Sequence, residues 1–175
     1  MSRTTLDFIF RVAPPWIYVG PGEPDREAWN PSHFYSRDAI SVCVRHLRGQ
    51  KMRTTDRLMN EFAAALQFFS GFGENWYALE ECLGYLDEWL PADAYVLVVE
   101  RAEEMLREDG RSEMISLLKV LHASGDFWAK PIADGDRFDR PAVPFHVLLN
   151  LSSGIAPTDT DIARAARDAG IPLRH

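Results

Sequence analysis

ISVCVRHLRGQKMRTTDRLMNEFAAALQFFSGFGENWYALEECLGYLDEWLPADAYVLVVE, residues 40–100, is the stretch from which the fold is read. Its first part, ISVCVRHL (40–47), is β-branched and nearly continuous in apolar character, as a strand covered on both faces is. The period then changes. In TTDRLMNEFAAALQFF (54–69), Leu58, Phe62, Ala65 and Phe69 recur at helical spacing behind a threonine able to cap the helix. Gly71 and Gly73 break that helix, and Asn75 caps a second one. In the second helix Trp76, Leu79, Leu83 and Leu86 form an inward stripe that Pro91 ends. AYVLVVE (94–100) is another buried strand. Strands joined through helices predict parallel pairing, because parallel neighbours need a crossover connection.

Working outward, a short helix around Glu103 to Glu108 ends at Asp109-Gly110. RSEMISLLKVLHAS (111–124) predicts a longer helix with Met114, Leu117, Leu118 and Leu121 inward, stopping before Gly125. GDFWAKPIADGDRFDRPAVP (125–144) has no periodicity and is expected to be a long loop, and FHVLLNLS (145–152) a third strand. PTDTDIARAARDAGIPLRH (157–175) is a capped amphipathic helix ended by Gly170 and Pro172. Before residue 40, DFIFRV, PPWIYVGP and PDREAW predict one or two extra strands and a short helical turn; an exposed edge strand from DFIFRV is open to pairing with another chain. The expected architecture is α/β: a small parallel three-stranded sheet packed with about four helices, plus N-terminal extra strand(s) and a C-terminal helix. It divides into an N-terminal extension (1–39), a core domain (40–152, with the long loop 125–144) and a C-terminal helix (153–175).

At 175 residues and 46% hydrophobic, the chain is long enough to bury its own core as one globular domain. Cys43 and Cys82 both sit in apolar runs and read as small buried hydrophobes, which predicts a reducing, cytoplasmic setting. Asp7 and Arg11 interrupt the apolar N-terminus, against a signal peptide, and AYVLVV is too short to cross a bilayer. The net charge of −7 is concentrated. Residues 74–109 carry eleven acids and two bases, a balance of −9, and the rest of the chain is slightly basic at +2. Such a field repels nucleic acid and anionic membrane and favours a cationic protein partner.

Catalytic chemistry has little support in the sequence. Histidines 33, 46, 122, 146 and 175 are scattered without metal-ligand spacing, so neither metal nor cofactor is expected. Gly71-Phe72-Gly73 lacks the third glycine of a dinucleotide fingerprint and joins two helices. Neither cysteine has a basic neighbour, the serines of NLSSG lack a strand-to-helix elbow, and the adjacent Glu80 and Glu81 diverge on a helix. The chain reads as no enzyme.

On a helical wheel with Trp76, Leu79, Leu83 and Leu86 inward, Tyr77, Glu81, Gly84 and Glu88 align on another face. Glu80 and Asp87 flank it, and Phe72 and Glu74 enter from the preceding loop. No Lys or Arg lies at i+4 to offset the acids, so their repulsion awaits a charge from outside the chain. The run Phe72-Gly73-Glu74-Asn75-Trp76, then Ala78-Leu79 and Glu81-Cys82-Leu83, resembles the signature of the barstar family, intracellular inhibitors of secreted bacterial ribonucleases. The order of elements over residues 40–152 is similar too.

This resemblance implies that the loop and second helix plug a ribonuclease active site, with acidic side chains where RNA phosphates would lie. It puts the family's acid before the cysteine at Glu81, one methylene longer than the usual Asp. Tyr77 replaces an earlier acid, Gly71 replaces an aromatic, and Val120 and Ser124 stand where the long helix would contribute an acid. The implied function is an inhibitor or immunity protein for a basic, RNase-like toxin, bound through Gly71, Phe72, Glu74, Tyr77, Glu80, Glu81, Gly84 and Glu88. Two other readings remain open: the same fold binding a non-nuclease partner through loop 125–144 or the N-terminal extension, and a small enzyme with acids in a cleft.

Overall fold

The computed structural model describes residues 8–20 and 40–175. Its centre is a five-stranded, all-parallel sheet in the order β2-β3-β4-β1-β5. In chain order the strands are β1 (Ile17–Gly20), β2 (Val42–Arg48), β3 (Ala94–Glu100), β4 (Phe145–Asn150) and β5 (Leu173–Arg174). The helices are α1 (Thr55–Leu66), α2 (Trp76–Gly84), α3 (Arg111–Trp128) and α4 (Asp161–Ala169). The predicted α/β class is present; the four α-helices include the C-terminal one, and the sheet is larger than the three strands expected for the core.

The larger sheet comes from the two ends of the chain. β1 lies inside the sheet, paired with β4 on one side (Ile17 with Val147) and β5 on the other (Ile17 with Leu173). It comes from the predicted PPWIYVGP segment, whereas residues 8–10 of DFIFRV form a short turn rather than an edge strand. PDREAW lies outside the described residues. The two-residue β5 was not predicted, since a pair after Pro172 is too short to show a period. β3 and β4 are buried along their whole length apart from Glu100 at the end of β3. β2 is covered on both faces but less completely, with Val42 and Val44 buried on one face and Leu47 on the other, while His46 and Arg48 at the end of this edge strand are exposed.

One core cluster lies between the sheet and the helices. It joins Leu47, Tyr95, Leu97, Phe145, Val147 and Leu149 of the sheet with Leu58, Phe62, Leu79, Leu83, Leu117, Leu121 and Ile162 of the helices. On the opposite face Val42, Val44, Ala94, Val96, Val98 and Leu148 pack with Ile9, Phe8, Phe10 and Tyr18. Leu58 and Phe62 face inward as predicted. Phe69 does not: α1 ends earlier, at Gln67 in the left-handed conformation (φ 57°), so Phe69 falls past the helix and is 62% exposed. The glycines at 71 and 73 are therefore not what stops α1.

Three further boundaries move. The second helix ends at Gly84, and after Tyr85 (φ −117°) a separate 3-10 turn runs from Leu86 to Glu88. The short helix around residues 103–108 is a 3-10 turn, Ala102–Glu104, followed by turns through Leu106 at φ 53°. α3 passes through Gly125 to Trp128, shortening the loop to 129–144. Gly125 serves packing there: the indole of Trp16 lies against it, and a Cβ would stand 2.2 Å from Trp16 Cγ.

Candidate protein-binding site

The sequence builds α2 from both ends. Asn75 caps it, with Oδ1 accepting from the Ala78 N–H at 2.9 Å and Nδ2 donating to the Gly73 carbonyl at 2.9 Å. Three indoles then fix the segment. Trp76 Nε1 donates to Glu113 Oε2 on α3 at 2.9 Å, Trp128 Nε1 at the end of α3 donates to the Leu83 carbonyl at 2.8 Å, and Trp89 Nε1 donates to the Leu66 carbonyl at the end of α1 at 2.9 Å. With Leu79, Cys82, Leu83 and Leu86 buried below, the outer face of α2 is held in one orientation.

That outer face and α3 enclose a shallow groove of about 260 Å³, lined by Tyr77, Glu80, Glu81, Gly84, Tyr85, Ala123, Ser124 and Phe127. Tyr77, Glu80, Glu81 and Gly84 are brought together as the helical wheel indicates. Glu88 is not with them, because the helix ends at Gly84 and Glu88 closes the following turn, exposed. Gly71, Phe72 and Glu74 stand on the loop ahead of α2. Gly71 lies under the Phe69 ring, Phe72 is half-buried against Phe68 with centroids 4.9 Å apart, and Glu74 is exposed at φ 47°. Tyr85, Ala123 and Phe127 were missed by sequence reasoning. Tyr85 reads as a continuation of the helix, and Phe127 fell in a segment read as loop; an exposed aromatic near each helix end was the available signal.

The acids of residues 74–109 divide into two groups. Glu104 lies 2.7 Å from Arg53 and 2.8 Å from Arg107, which hold its carboxyl below the usual glutamate range. Glu100 faces His46 at 3.8 Å, Glu108 faces Arg53 at 3.9 Å, Glu103 accepts from Ser152, Asp93 accepts from the Ser41 N–H, and Asp109 accepts from the Thr55 N–H, which depresses its carboxyl. Glu74, Glu80, Glu81, Asp87 and Glu88 form no ion pair among the described residues. Within residues 74–109 the acids with neither an ion pair nor a hydrogen bond among the described residues thus cluster on α2 and its flanks, and of these Asp87 lies near enough to Arg140 to offset part of the lowering that burial imposes on the pKa of its guanidinium. Burial raises the thiol of Cys82 on the inner side of α2, and the neighbouring Glu81 charge adds to the rise.

Among the described residues, no group of three or more His, Cys, Asp and Glu side chains is arranged to hold a metal ion, and no helix is long and apolar enough to cross a membrane. A family model described as Barstar (barnase inhibitor) matches residues 42–150. The chain belongs to the barstar family. Compared with curated proteins, it matches none. The barstar-family match begins at β2 and ends with β4, so it contains α2, α3 and the whole groove, and leaves β1, α4 and β5 outside.

Proposed function

We propose that this protein is an inhibitor, of the immunity or antitoxin kind, that blocks a cationic ribonuclease-type toxin by setting α2 and its preceding loop into the toxin's active site. One observation carries the reading. Four exposed carboxylates around α2, Glu74, Glu80, Glu81 and Glu88, pair with no cation among the described residues, while most of their acidic neighbours in sequence are satisfied inside the fold. A nuclease active site is built to hold polyanionic RNA, so it supplies the missing positive charge. Glu81, exposed beside the groove, is the central contact, and Glu80, Glu88 and Glu74 extend the negative field that speeds encounter. The free thiols of Cys43 and Cys82 suit a cytoplasmic inhibitor that meets the toxin before export.

The test is capture from lysate of the source organism, identification of the partner, and an RNA-cleavage assay of that partner with and without the inhibitor. A basic ribonuclease, silenced by the wild type and released as salt shortens the screening length from about 30 Å at 0.01 M to about 3 Å at 1 M, is the expected result. Glu81→Ala should weaken the complex by about thirty-fold or more, the mark of a central contact, with the fold unchanged by circular dichroism. Unaltered affinity in that variant sinks the proposed site. Equal capture by a protein lacking most of residues 131–139 but not by Glu81→Ala speaks against the reading in which the loop holds the partner.

A further inference from the structure

The loop that follows α3 turns a cation back against the end of that helix. Its two sides meet at Ile132 and Arg140, where each N–H donates to the other's carbonyl, at 2.9 and 3.0 Å. From this bridge the Arg140 guanidinium donates to the carbonyls of Lys130 at 3.0 Å, Pro141 at 3.2 Å, Phe127 at 3.3 Å and Trp128 at 3.4 Å. The carbonyls of Phe127, Trp128 and Lys130 lie at or just past the C-terminus of α3, where a helix leaves its last acceptors unpaired and its dipole favours positive charge. Burial lowers the pKa of the guanidinium, and the charge of Asp87 offsets part of that effect. The same group lies 4.2 Å from the centroid of the Trp128 ring, which is fully buried and also meets the Tyr95 ring at 4.9 Å. Trp128 in turn donates through Nε1 to the Leu83 carbonyl of α2 at 2.8 Å.

We propose that Arg140 is a positioning residue for α2: it fixes the Trp128 indole, and through the hydrogen bond from Trp128 to Leu83 it sets the last turn of the helix that carries Glu80 and Glu81. The inference rests on the inhibitor reading only for what that turn does when a partner arrives. The last carbonyls of a helix have no partner within it, and that of Leu83 is met by Trp128 from another element. Hydrogen bonds weaken steeply as their angle bends, so whatever holds the indole in place holds the end of α2 as well. The role suits arginine. Its planar fork reaches several carbonyls and stacks on an indole at the same time, whereas a lysine ammonium is a compact point charge without that plane. The long loop thereby gains a part in binding that requires no contact between loop and partner.

The test is amide hydrogen exchange in the whole protein, with no partner present. Arg140→Met should quicken exchange at Leu83, Gly84 and Tyr85 by about five-fold more than at Leu97 in β3, five-fold being the worth of one hydrogen bond or cation-ring contact. Trp128→Phe keeps an aromatic ring and removes the indole donor. In that background Arg140→Met should set α2 apart from β3 by less than about two-fold, because the link to Leu83 is already cut. Equal quickening of α2 and β3 marks a general loss of stability and overturns the proposal. So does an unchanged α2, or the full effect of Arg140→Met in the Trp128→Phe protein. If Arg140→Met does not fold, Arg140→Lys, which keeps the charge and loses the fork, carries the same expectations. Ribonuclease affinity separates this proposal from the inhibitor reading. Exchange localised to α2 together with unchanged ribonuclease affinity in Glu81→Ala leaves the brace and removes the inhibitor. Uniform exchange together with affinity lost in Glu81→Ala does the reverse.

Discussion

At Gly125 two residue-scale effects oppose each other. Replacing a mid-helix glycine by alanine normally stabilises by about 1 kcal/mol, but here the new methyl would stand 2.2 Å from the Trp16 ring. Overpacking of this kind costs about 1–3 kcal/mol, and Trp16 cannot swing away freely because its Nε1 donates to Asp126 Oδ1 at 2.7 Å. Gly125→Ala should therefore lower stability in urea denaturation; a more stable protein would show that Trp16 is loosely seated. A second residue-scale prediction concerns pH. His146 is fully buried among Phe8, Trp16 and Tyr18, its Nε2 2.8 Å from the Arg11 carbonyl, and burial lowers its pKa. Its neutral form is favoured by folding, so its contribution is complete above the ordinary histidine value near 6.5 and fades as the pH falls below it. Glu61, gripped by Arg48 through two 2.8 Å bonds, is shifted down, so its contribution holds above the ordinary glutamate range and is lost only in stronger acid. Stability measured against pH should fall in two steps, and His146→Gln should erase the first without moving the second.

At the scale of the element, α2 is a nine-residue helix, too short to persist without its cap and its packing. Asn75→Ala removes the Ala78 N–H acceptor and should cost about 1 kcal/mol in denaturant titration, with partner affinity falling as α2 frays. Glu81→Gln should act in opposite senses on stability and on binding. Glu81 lies in the last turn of α2, where the helix dipole disfavours negative charge, so the neutral variant should fold a few tenths of a kcal/mol more tightly while binding its partner less well. Such a trade, read by thermal unfolding and by titration, is what a surface shaped for association rather than stability would give. The elements of residues 40–100 were legible in sequence because their signals are local: threonine and asparagine caps, an apolar period and strand-like runs. The end of α3 was not, since Gly125 reads as a stop unless one knows that Trp16, far away in sequence, fills its missing side chain. Of the site, the acids and Tyr77 could be read from the wheel, whereas the groove depends on how closely α3 approaches α2, and no pattern within either helix encodes that approach.

For the molecule as a whole, β1, α4 and β5, which lie outside the family match, are structural members of the fold. Trp16, Ile17, Val19, Ile162, Ala165, Ala166 and Ile171 share one core cluster with the residues of the matched region. A fragment of residues 40–152 would bare the β4 edge and the underside of α3 together, and it should aggregate or lose cooperative unfolding, as scanning calorimetry and gel filtration would show. A sharp, reversible transition in that fragment would mean that the matched region is self-sufficient. The interior place of β1 has a further consequence, for the order of events during translation. Ile17 finds its partner Val147 only 130 positions later, which at ribosomal speed is on the order of ten seconds. Through that interval the nascent chain holds an apolar strand and a tryptophan with no sheet to join, so the helix that bears the acids is made well before the scaffold behind it can close.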